Sequence, residues 1–187
     1  MSSNLSIALL HHPVYNKHRE IITTAFTNLD IHDIARTART FGVESYFMVT
    51  PSTEQRALIE RIVTHWDSGW GSQYNPDRKD ALRIIKTAVS LEAAVTELSQ
   101  SCGLPVSIIV TGAMARPGSC SFTELRKRLN DPTRHYLLVL GTGHGLADSV
   151  FDAADLILEP IAGSGDYNHL PVRSALAIML DRLNRSE

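Results

Sequence analysis

The feature that most limits what this chain can fold into is a regular alternation of short apolar runs with longer segments of helical periodicity. Six runs are predicted to be strands, at residues 5–10, 46–50, 82–89, 106–110, 136–140 and 156–158. The central runs are apolar without interruption, which is typical of strands buried on both faces of a sheet. The alternation therefore predicts an α/β fold with a mainly parallel sheet and helices on both faces.

The segments between the strands are predicted to be helices, at residues 30–41, from 53 onward, 90–100, 122–129, 146–153 and 172–183. Gly42 is expected to end the first helix, because glycine readily adopts the left-handed conformation that follows many helices. In the second helix, Leu58, Ile59 and Ile62 are expected to share the buried face. Residues 67–80 are polar and contain two glycines and a proline, so they are predicted to form a surface loop or flap.

Length and composition limit the class of protein. A chain of 187 residues with 43% apolar and 20% charged residues is typical of a soluble globular domain, not of a disordered or coiled-coil protein. We therefore expect one domain over residues 1–187. No apolar run is long enough to cross a membrane, and the N-terminus lacks the basic start of a secretory signal. The two cysteines, Cys102 and Cys120, do not indicate a disulfide framework and fit a reducing, cytoplasmic location.

The charge balance argues against bulk electrostatic binding of nucleic acid. The formal net charge is −2 at pH 7, whereas proteins that hold nucleic acid in this way usually carry a basic excess. Any such contact would have to come from local basic patches. Three are visible, namely Lys17-His18-Arg19, Arg36 with Arg39, and Arg126-Lys127-Arg128. An ordinary solvated surface is the alternative interpretation of each patch.

Two glycine-bearing loops are the strongest functional signal in the residue spacing. Ligands of parallel sheets bind beyond the carboxyl ends of the strands. Residues 141–145 (Gly-Thr-Gly-His-Gly) follow one predicted strand, and residues 160–171, which contain Gly163 and Gly165, follow the next. Glycines let a backbone pass close to a ligand and present its N–H groups. The two loops flank one short βαβ unit, and together they predict a cradle for a small ligand with polar and aromatic parts.

The sequence gives little support for a dinucleotide site, a metal site or a nucleophilic serine. A dinucleotide fingerprint would need a glycine where Leu146 stands, near the start of the fold. No histidine pair has zinc-binding spacing with cysteines, so no metal site is predicted. The pairs His11-His12 and His32-Asp33 are expected to be loop and helix-surface groups. Neither Ser164 nor Ser174 lies in a nucleophile elbow.

Three stretches resemble the motifs of the SPOUT RNA methyltransferases. Residues 27–43 (TNLDIHDIARTARTFGV) look like the first motif, in which a loop with an asparagine leads into a helix with an arginine. Residues 138–146 (LVLGTGHGL) are similar to the second motif, and residues 159–175, which begin Glu-Pro-Ile-Ala-Gly, resemble the third. The motifs occur in the family's order and spacing. The match looks closest to a small bacterial branch related to a domain found fused to tRNA guanine-N1 methyltransferase.

The resemblance implies a C-terminal trefoil knot, a homodimer, and S-adenosylmethionine bound in a bent form within the knot. It places the cofactor mainly on backbone groups of the second and third motifs, at Leu140, Gly141, Thr142, Gly143, Ile161, Leu170 and Val172. His144 and Tyr167 are expected to flank the adenosine or the target base. The RNA site is expected at the subunit interface, where Arg36 would reach the acceptor.

The chemistry of methyl transfer needs an aligned acceptor and the removal of a proton. Arg36 is expected to orient or stabilise the anionic acceptor. Asp166 is the only carboxylate inside the third-motif loop and is the candidate base. Asn28 lies close to the place where ribose-methylating members carry an asparagine, but the aligned residue here is Asp30.

Two further departures concern the same ribose-methylating group. The second motif lacks the usual glutamate, and His169 and Pro171 stand where that group has serine and asparagine. The acceptor atom, a ring nitrogen or a 2′-hydroxyl, therefore stays open.

The sequence is interpreted as an S-adenosylmethionine-dependent methyltransferase that acts on tRNA or rRNA, with no membrane partner. One alternative is a SPOUT-like module that binds the cofactor or RNA without methyl transfer, and another is a methyltransferase acting on a protein or small metabolite. Trp66 and Trp70, in or beside the segment 67–80, are candidates for stacking on RNA bases. The alternative for at least one of them is an anchoring role in the core.

Overall fold

The protein is described from a computed structural model, which covers residues 4–68 and 74–185. The strands are Leu5–Leu10 (β1), Val14–Tyr15 (β2), Ile21–Ile22 (β3), Tyr46–Val49 (β4), Ile85–Ala88 (β5), Val106–Val110 (β6), His135–Gly141 (β7) and Leu156–Ile157 (β8). The helices are Asn28–Thr40 (α1), Thr53–Ser68 (α2), Pro76–Leu82 (α3), Leu91–Cys102 (α4), Phe122–Arg128 (α5), Asp148–Asp152 (α6) and Val172–Asn184 (α7).

Six strands form one sheet in the order β5-β4-β1-β7-β6-β8. Every pairing in this sheet is parallel, as the apolar runs predicted. The chain moves outward from β1 to β4 and β5, and later returns from β6 to β7, which lies beside β1. The winding direction therefore changes between β1 and β7. In open parallel sheets, the carboxyl end of such a boundary is where ligands bind.

Alternating side chains of the central strands supply two separate cores. On β1, Ile7 and Leu9 pack with residues of α1, α2, α5 and α7, whereas Ala8 and Leu10 pack with residues of α4 and α6. This division arises because successive side chains of a strand point to opposite faces of the sheet. Helices therefore cover both faces, and the predicted fold class is confirmed.

Helix α1 is defined at both ends by its sequence. At its start, the Thr27 hydroxyl accepts from the Asp30 N–H while the Asp30 carboxylate accepts from the Thr27 N–H, which is a capping box. After the last turn, Gly42 has a φ of 72° and ends the helix as predicted. The helix begins at Asn28 rather than at Asp30, because Asp30 is the third residue of the helix and part of its cap.

The predicted loop over residues 67–80 is wrong in part. Asn75-Pro76 looks like a turn signal, but Pro76 is at the start of α3, where its missing N–H costs nothing. The Asn75 side chain caps this helix by accepting from the Arg78 N–H at 3.0 Å. Because α3 runs through Leu82, the next strand begins at Ile85 instead of Leu82. Trp70 lies outside the described residues.

The expected buried face of α2 is also partly wrong. Ile59 is buried, and Ile62, Val63 and Trp66 pack against the same core, which follows the helical spacing of three and four residues. Leu58 is 47% exposed, because it lies about 100° around the helix from Ile59.

A short antiparallel hairpin, β2 with β3, was not predicted, because two-residue strands carry no readable periodicity. None of the helices described here is both long and apolar enough to span a membrane. The trefoil knot implied by the resemblance stays a prediction.

Candidate functional site

The loop that follows β7 is shaped by its glycines. A Cβ atom on Gly141 would lie 2.7 Å from Cγ of Leu146, and one on Gly143 would lie 2.8 Å from the carbonyl oxygen of Tyr15. Both distances are shorter than real contacts allow, and Gly143 also has a φ of 60°, which L side chains rarely adopt. Larger side chains would displace this loop, so its glycines are needed for its shape.

The β2–β3 hairpin holds the same loop in place. The His144 N–H donates to the Tyr15 carbonyl at 2.8 Å, and the Tyr15 N–H donates to the Gly145 carbonyl at 2.8 Å. The Ala147 N–H donates to the Pro13 carbonyl at 3.1 Å. This hairpin was not predicted from the sequence to be part of the site. Its only signal was the pair of apolar dipeptides, Val14-Tyr15 and Ile21-Ile22, on either side of a polar turn.

His11 lies beneath the loop, at the carboxyl end of β1. It lies in the loop after β1, as expected, but it is fully buried, because the hairpin and its neighbours cover it. Burial lowers the pKa of His11 from 6.5 to about 4, although the Asp30 carboxylate acts in the opposite direction. Its imidazole is therefore neutral at neutral pH.

The loop that follows β8 is far more open. Ile161 is buried at its start, but residues 162–167 are all exposed. The Asn168 side chain donates to the Ala113 carbonyl at 3.0 Å, which ties this loop to the one after β6. The rings of Tyr167 and His169 meet edge to face, 5.2 Å between centroids. The loop leads directly into α7.

The predicted cofactor residues occupy one edge of the sheet. Leu140 is buried in the core, so only its backbone can face a ligand, whereas His144, Tyr167 and Leu170 are exposed. Val172 is half-buried at the start of α7. Strand β6 lies between β7 and β8, and within residues 4–68 and 74–185 no hydrogen bond joins the two glycine loops directly. Their assignment to the cofactor stays a prediction.

The predicted catalytic residues do not form one cluster. Arg36 is exposed on α1 and borders a groove with residues of the same helix and Ala177 of α7. Asn28 stands eight positions earlier on the same helix, about 12 Å along its axis. Asp166 is exposed in the loop after β8, and its side chain makes no hydrogen bond within the described parts of the chain.

An ion pair joins the two helices that border this groove. Arg173, near the start of α7, contacts the Asp33 carboxylate of α1 at 2.8 Å. The second glycine loop is thereby connected through α7 to the helix that carries Arg36.

The first basic patch lies beside the loop after β7. Arg19 lies 4.2 Å over the ring of Tyr15, and both Arg19 and Arg116 pair with Asp148, at 3.3 and 2.9 Å. The hydrogen bond from Arg116 is the main reason that the pKa of Asp148 lies below its usual range. Two guanidinium groups therefore share one carboxylate at this exposed surface.

The other basic patches behave as ordinary surface or packing groups, apart from Arg36. Arg39 pairs with Asp80 at 2.8 Å, and Arg128 pairs with Glu124 at 2.8 Å. Arg126 donates to the Arg182 carbonyl. Exposed pairs of this kind contribute little stability.

Trp66 has the anchoring role that was the alternative to RNA stacking. Its ring packs against the core, lies 4.8 Å from the Arg78 guanidinium and meets the His32 ring edge to face. It therefore joins α1, α2 and α3. The half-buried His32 belongs to this packing, and no group of three metal-ligating side chains occurs among the described residues.

A family model described as SAM-dependent RNA methyltransferase matches residues 4–185. The chain belongs to this family. The resemblance to SPOUT methyltransferases is thereby confirmed, together with the methyl donor, S-adenosylmethionine, and RNA methyl transfer as the family's activity.

Individual relatives agree with this membership. A protein of Aquifex aeolicus is 39% identical over 183 residues, which are 98% of this chain and 89% of the relative. A tRNA (guanine-N(1)-)-methyltransferase of Oleidesulfovibrio alaskensis is 41% identical over 180 residues, which are 96% of this chain but 42% of the relative. This methyltransferase therefore spans less than half the length of that tRNA-modifying relative.

Solved structures share the fold. The SpoU methyltransferase AviRb from Streptomyces viridochromogenes, solved in complex with AdoMet, has a TM-score of 0.56 and 17% sequence identity. The likeness covers 98% of this chain and 58% of that one. At this identity it supports the fold of the methyltransferase.

The glycine loop after β7 is the first of the two loops that the resemblance assigns to S-adenosylmethionine. It places backbone groups at the boundary between β1 and β7, and neither Gly141 nor Gly143 can carry a side chain in the present backbone. The space of those side chains is taken by Leu146 and the Tyr15 carbonyl, so the glycines let the loop pack closely on the protein. The N–H and C=O of Gly143 make no hydrogen bond within the described residues and are available to a ligand.

Proposed function

We propose that this methyltransferase binds S-adenosylmethionine between the two glycine loops and methylates an RNA, with tRNA as the leading candidate substrate. The observation that carries the proposal is the common position of both loops at the carboxyl edge of one parallel sheet. The second loop continues into α7, which is joined to the Arg36 helix by the Asp33–Arg173 ion pair. This connection between the two elements supports the proposal that they carry the cofactor site and the acceptor site.

Binding falls mainly to backbone groups of Leu140, Gly141, Thr142 and Gly143 on one side and of Ile161, Leu170 and Val172 on the other. When bound, the cofactor supplies a methyl group already activated for transfer, so the protein mainly aligns the acceptor and excludes water. His144 and Tyr167 are exposed beside these loops and are proposed to flank the adenosine or the target base. AviRb, which shares the fold, was solved with the same cofactor.

Arg36 is proposed to hold the acceptor as it becomes anionic. Its guanidinium makes no ion pair with a carboxylate of the described residues, unlike Arg39 on the same helix, which pairs with Asp80. A guanidinium without a protein partner can form charge-assisted hydrogen bonds to a substrate anion. Asp166 is proposed to accept the acceptor's proton, since its exposed carboxylate is likewise open to solvent and substrate.

The choice of tRNA is supported by the relative from Oleidesulfovibrio alaskensis. Asp30 stands where ribose-methylating members have an asparagine. Its carboxylate caps α1 by accepting from the N–H and hydroxyl of Thr27. This favours a base nitrogen over a ribose hydroxyl as the acceptor. The same observation keeps open a second function, a cofactor- or RNA-binding module without methyl transfer.

We also propose a homodimer formed through α1 and α7, with the RNA site at its interface. Besides the resemblance, support comes from exposed apolar residues on or next to these helices, namely Leu29 on α1 at 53% and Leu170 just before α7 at 43% exposure. Light scattering of the purified protein would give twice the mass of one chain. We further propose one domain over residues 1–187 and action in the cytoplasm, where tRNA substrates are found.

The test of the proposed function is a pair of measurements on the same protein. Calorimetric titration with S-adenosylmethionine and S-adenosylhomocysteine measures binding, and transfer of labelled methyl groups to RNA from cells that lack the gene measures activity. Arg36→Ala should abolish transfer and leave cofactor binding intact, whereas the matched control Arg39→Ala should transfer normally. Cofactor binding without transfer to any RNA would favour the binding module, and unchanged turnover of Arg36→Ala would refute the role of Arg36.

A further inference from the structure

A chain of side-chain hydrogen bonds runs beneath the cofactor loop. Nδ1 of His11 lies 3.1 Å from Oγ1 of Thr24, which lies 2.5 Å from Oγ1 of Thr142. The Thr142 hydroxyl in turn donates to the Leu10 carbonyl at 3.1 Å. His11 and Thr24 lie outside the three stretches that resemble family motifs, and only Thr142 belongs to the loop.

The hydrogen atoms in this chain of hydrogen bonds can be assigned from the number of donors. Each hydroxyl has one hydrogen to donate. Since Thr142 donates to Leu10, it accepts from Thr24 across the short contact. The Thr24 hydroxyl also has the His11 carbonyl within 3.4 Å, but its single hydrogen goes to the nearer acceptor, Thr142 at 2.5 Å. Thr24 then accepts from His11. Neutral His11 therefore carries its proton on Nδ1. Its Nε2 is a buried acceptor without a hydrogen-bond partner, in agreement with this tautomer.

The chain of hydrogen bonds fixes the orientation of the Thr142 side chain. Its hydroxyl is held by two partners, the Thr24 hydroxyl and the Leu10 carbonyl, so this side chain is engaged within the protein. Thr24 also supports the loop by packing, because a Cβ on Gly143 would lie 3.4 Å from Cγ2 of Thr24. The Thr24 N–H donates to the His11 carbonyl at 2.9 Å, which keeps these two residues together.

We propose that His11 and Thr24 are positioning residues of the cofactor site, which hold the loop after β7 in its binding conformation through the Thr142 hydroxyl. This inference rests on the proposed function, because it assigns the loop to the cofactor. The site then has a fourth contributing segment, residues 11–24, in addition to the three motifs. The energetic consequence is that the loop needs little ordering when the cofactor binds, so less affinity is lost to entropy.

The decisive variant is Thr24→Val, which keeps the shape of the side chain and removes the hydroxyl. We expect its dissociation constant for S-adenosylmethionine to rise by about tenfold, the usual scale of one lost hydrogen bond. At saturating cofactor, kcat should stay close to wild type, since the acceptor side is untouched. Thr24→Ser keeps a hydroxyl and should restore most of the affinity.

Thr23→Val is the matched control. The Thr23 hydroxyl contacts Nδ1 of His12 at 3.2 Å and is not part of the chain, so this variant should bind the cofactor like wild type. Melting temperatures of all variants establish that they fold. If Thr24→Val does not fold, Thr142→Val breaks the same chain from the loop side and should give the same loss of affinity.

A second readout does not depend on the cofactor. Amide hydrogen exchange at His144 and Gly145 should be faster in Thr24→Val than in Thr23→Val, with no ligand present. Wild-type affinity and wild-type exchange in Thr24→Val would overturn the inference. If wild type binds no cofactor but Thr24→Val still loosens the loop, the positioning role stands and the proposed function falls.

Discussion

The two glycine loops of this methyltransferase differ in how firmly the protein holds them. The loop at residues 141–145 is fixed from above by backbone hydrogen bonds to Tyr15 and from below by the hydroxyl of Thr24. The loop at residues 160–170 has one side-chain hydrogen bond, from Asn168 to the Ala113 carbonyl. Within the described structure, no backbone–backbone hydrogen bond involves residues 160–170. One half of the proposed cofactor site is therefore formed in advance, and the other half is left for the ligand to order.

This contrast indicates different roles for the two loops in ligand binding. A preformed loop lowers the entropy lost on binding, whereas an exposed loop next to the proposed RNA site can adjust to two ligands in turn.

Substituting a glycine by alanine should destabilise the protein in the first loop and should have little effect in the second. Gly143→Ala places a Cβ 2.8 Å from the Tyr15 carbonyl at a φ of 60°, so we expect a loss of at least about 2 kcal/mol in the free energy of unfolding. Cofactor binding should fall below detection. Gly165→Ala is the matched control, because a Cβ there has no neighbour within 4 Å. Chemical denaturation and calorimetry measure both effects, and equal tolerance of the two substitutions would contradict the contrast.

The buried support of the first loop should be sensitive to acid. The pKa of His11 is lowered from 6.5 to about 4 by burial, so the folded protein binds this proton more weakly than the unfolded chain does. The contribution of His11 to the free energy of unfolding is therefore greatest above about pH 6.5. It decreases as the pH falls toward 4, by about 2–3 kcal/mol between pH 7 and 4.5.

The control for this pH dependence is His11→Asn, which cannot titrate. Denaturation curves at several pH values should show a shallower acid loss in this variant than in wild type. His135 is also buried, with a lowered pKa, but it is present in both proteins and cancels in the comparison. Parallel pH curves for the two proteins would show that His11 is not the group responsible.

Removing the tether of the second loop should have the smallest effect. Asn168→Ala loses a hydrogen bond in an exposed region, so we expect less than about 1 kcal/mol of lost stability. Amide exchange in residues 161–170 should rise, and cofactor affinity should fall by about threefold, less than half a decade. Asn130→Ala, at an exposed position in the turn after α5, serves as the control. A stability loss as large as that of Gly143→Ala would mean that the second loop is as firmly held as the first.

The sequence predicted the parts of this fold that depend on local pattern. Six apolar runs identified the six parallel strands, and a single residue, Gly42, identified the end of α1, because caps are encoded within one turn. Helix α3 was missed because Asn75-Pro76 fits both a turn and a helix start, and only packing against α1 and α2 distinguishes them.

The site was predicted at the level of its loops but not of their support. The glycines after β7 are visible as a motif, yet the reason for Gly143 is a carbonyl of Tyr15, which is 128 positions earlier in the chain. The burial of His11 likewise depends on a hairpin that docks through long-range contacts. Such dependence on distant residues leaves no periodic signal in a single sequence.

The central position of β1 has a consequence for the newly made chain. Leu5 of β1 pairs with Tyr136 of β7, so one edge of the first strand has no partner until most of the protein has been synthesised. At about 5–20 residues per second, this interval lasts roughly seven to twenty-six seconds. During that time β1 presents an apolar, unpaired edge of the kind that promotes aggregation. Chains truncated before β7 keep that edge permanently, and they should require chaperones or accumulate as insoluble material.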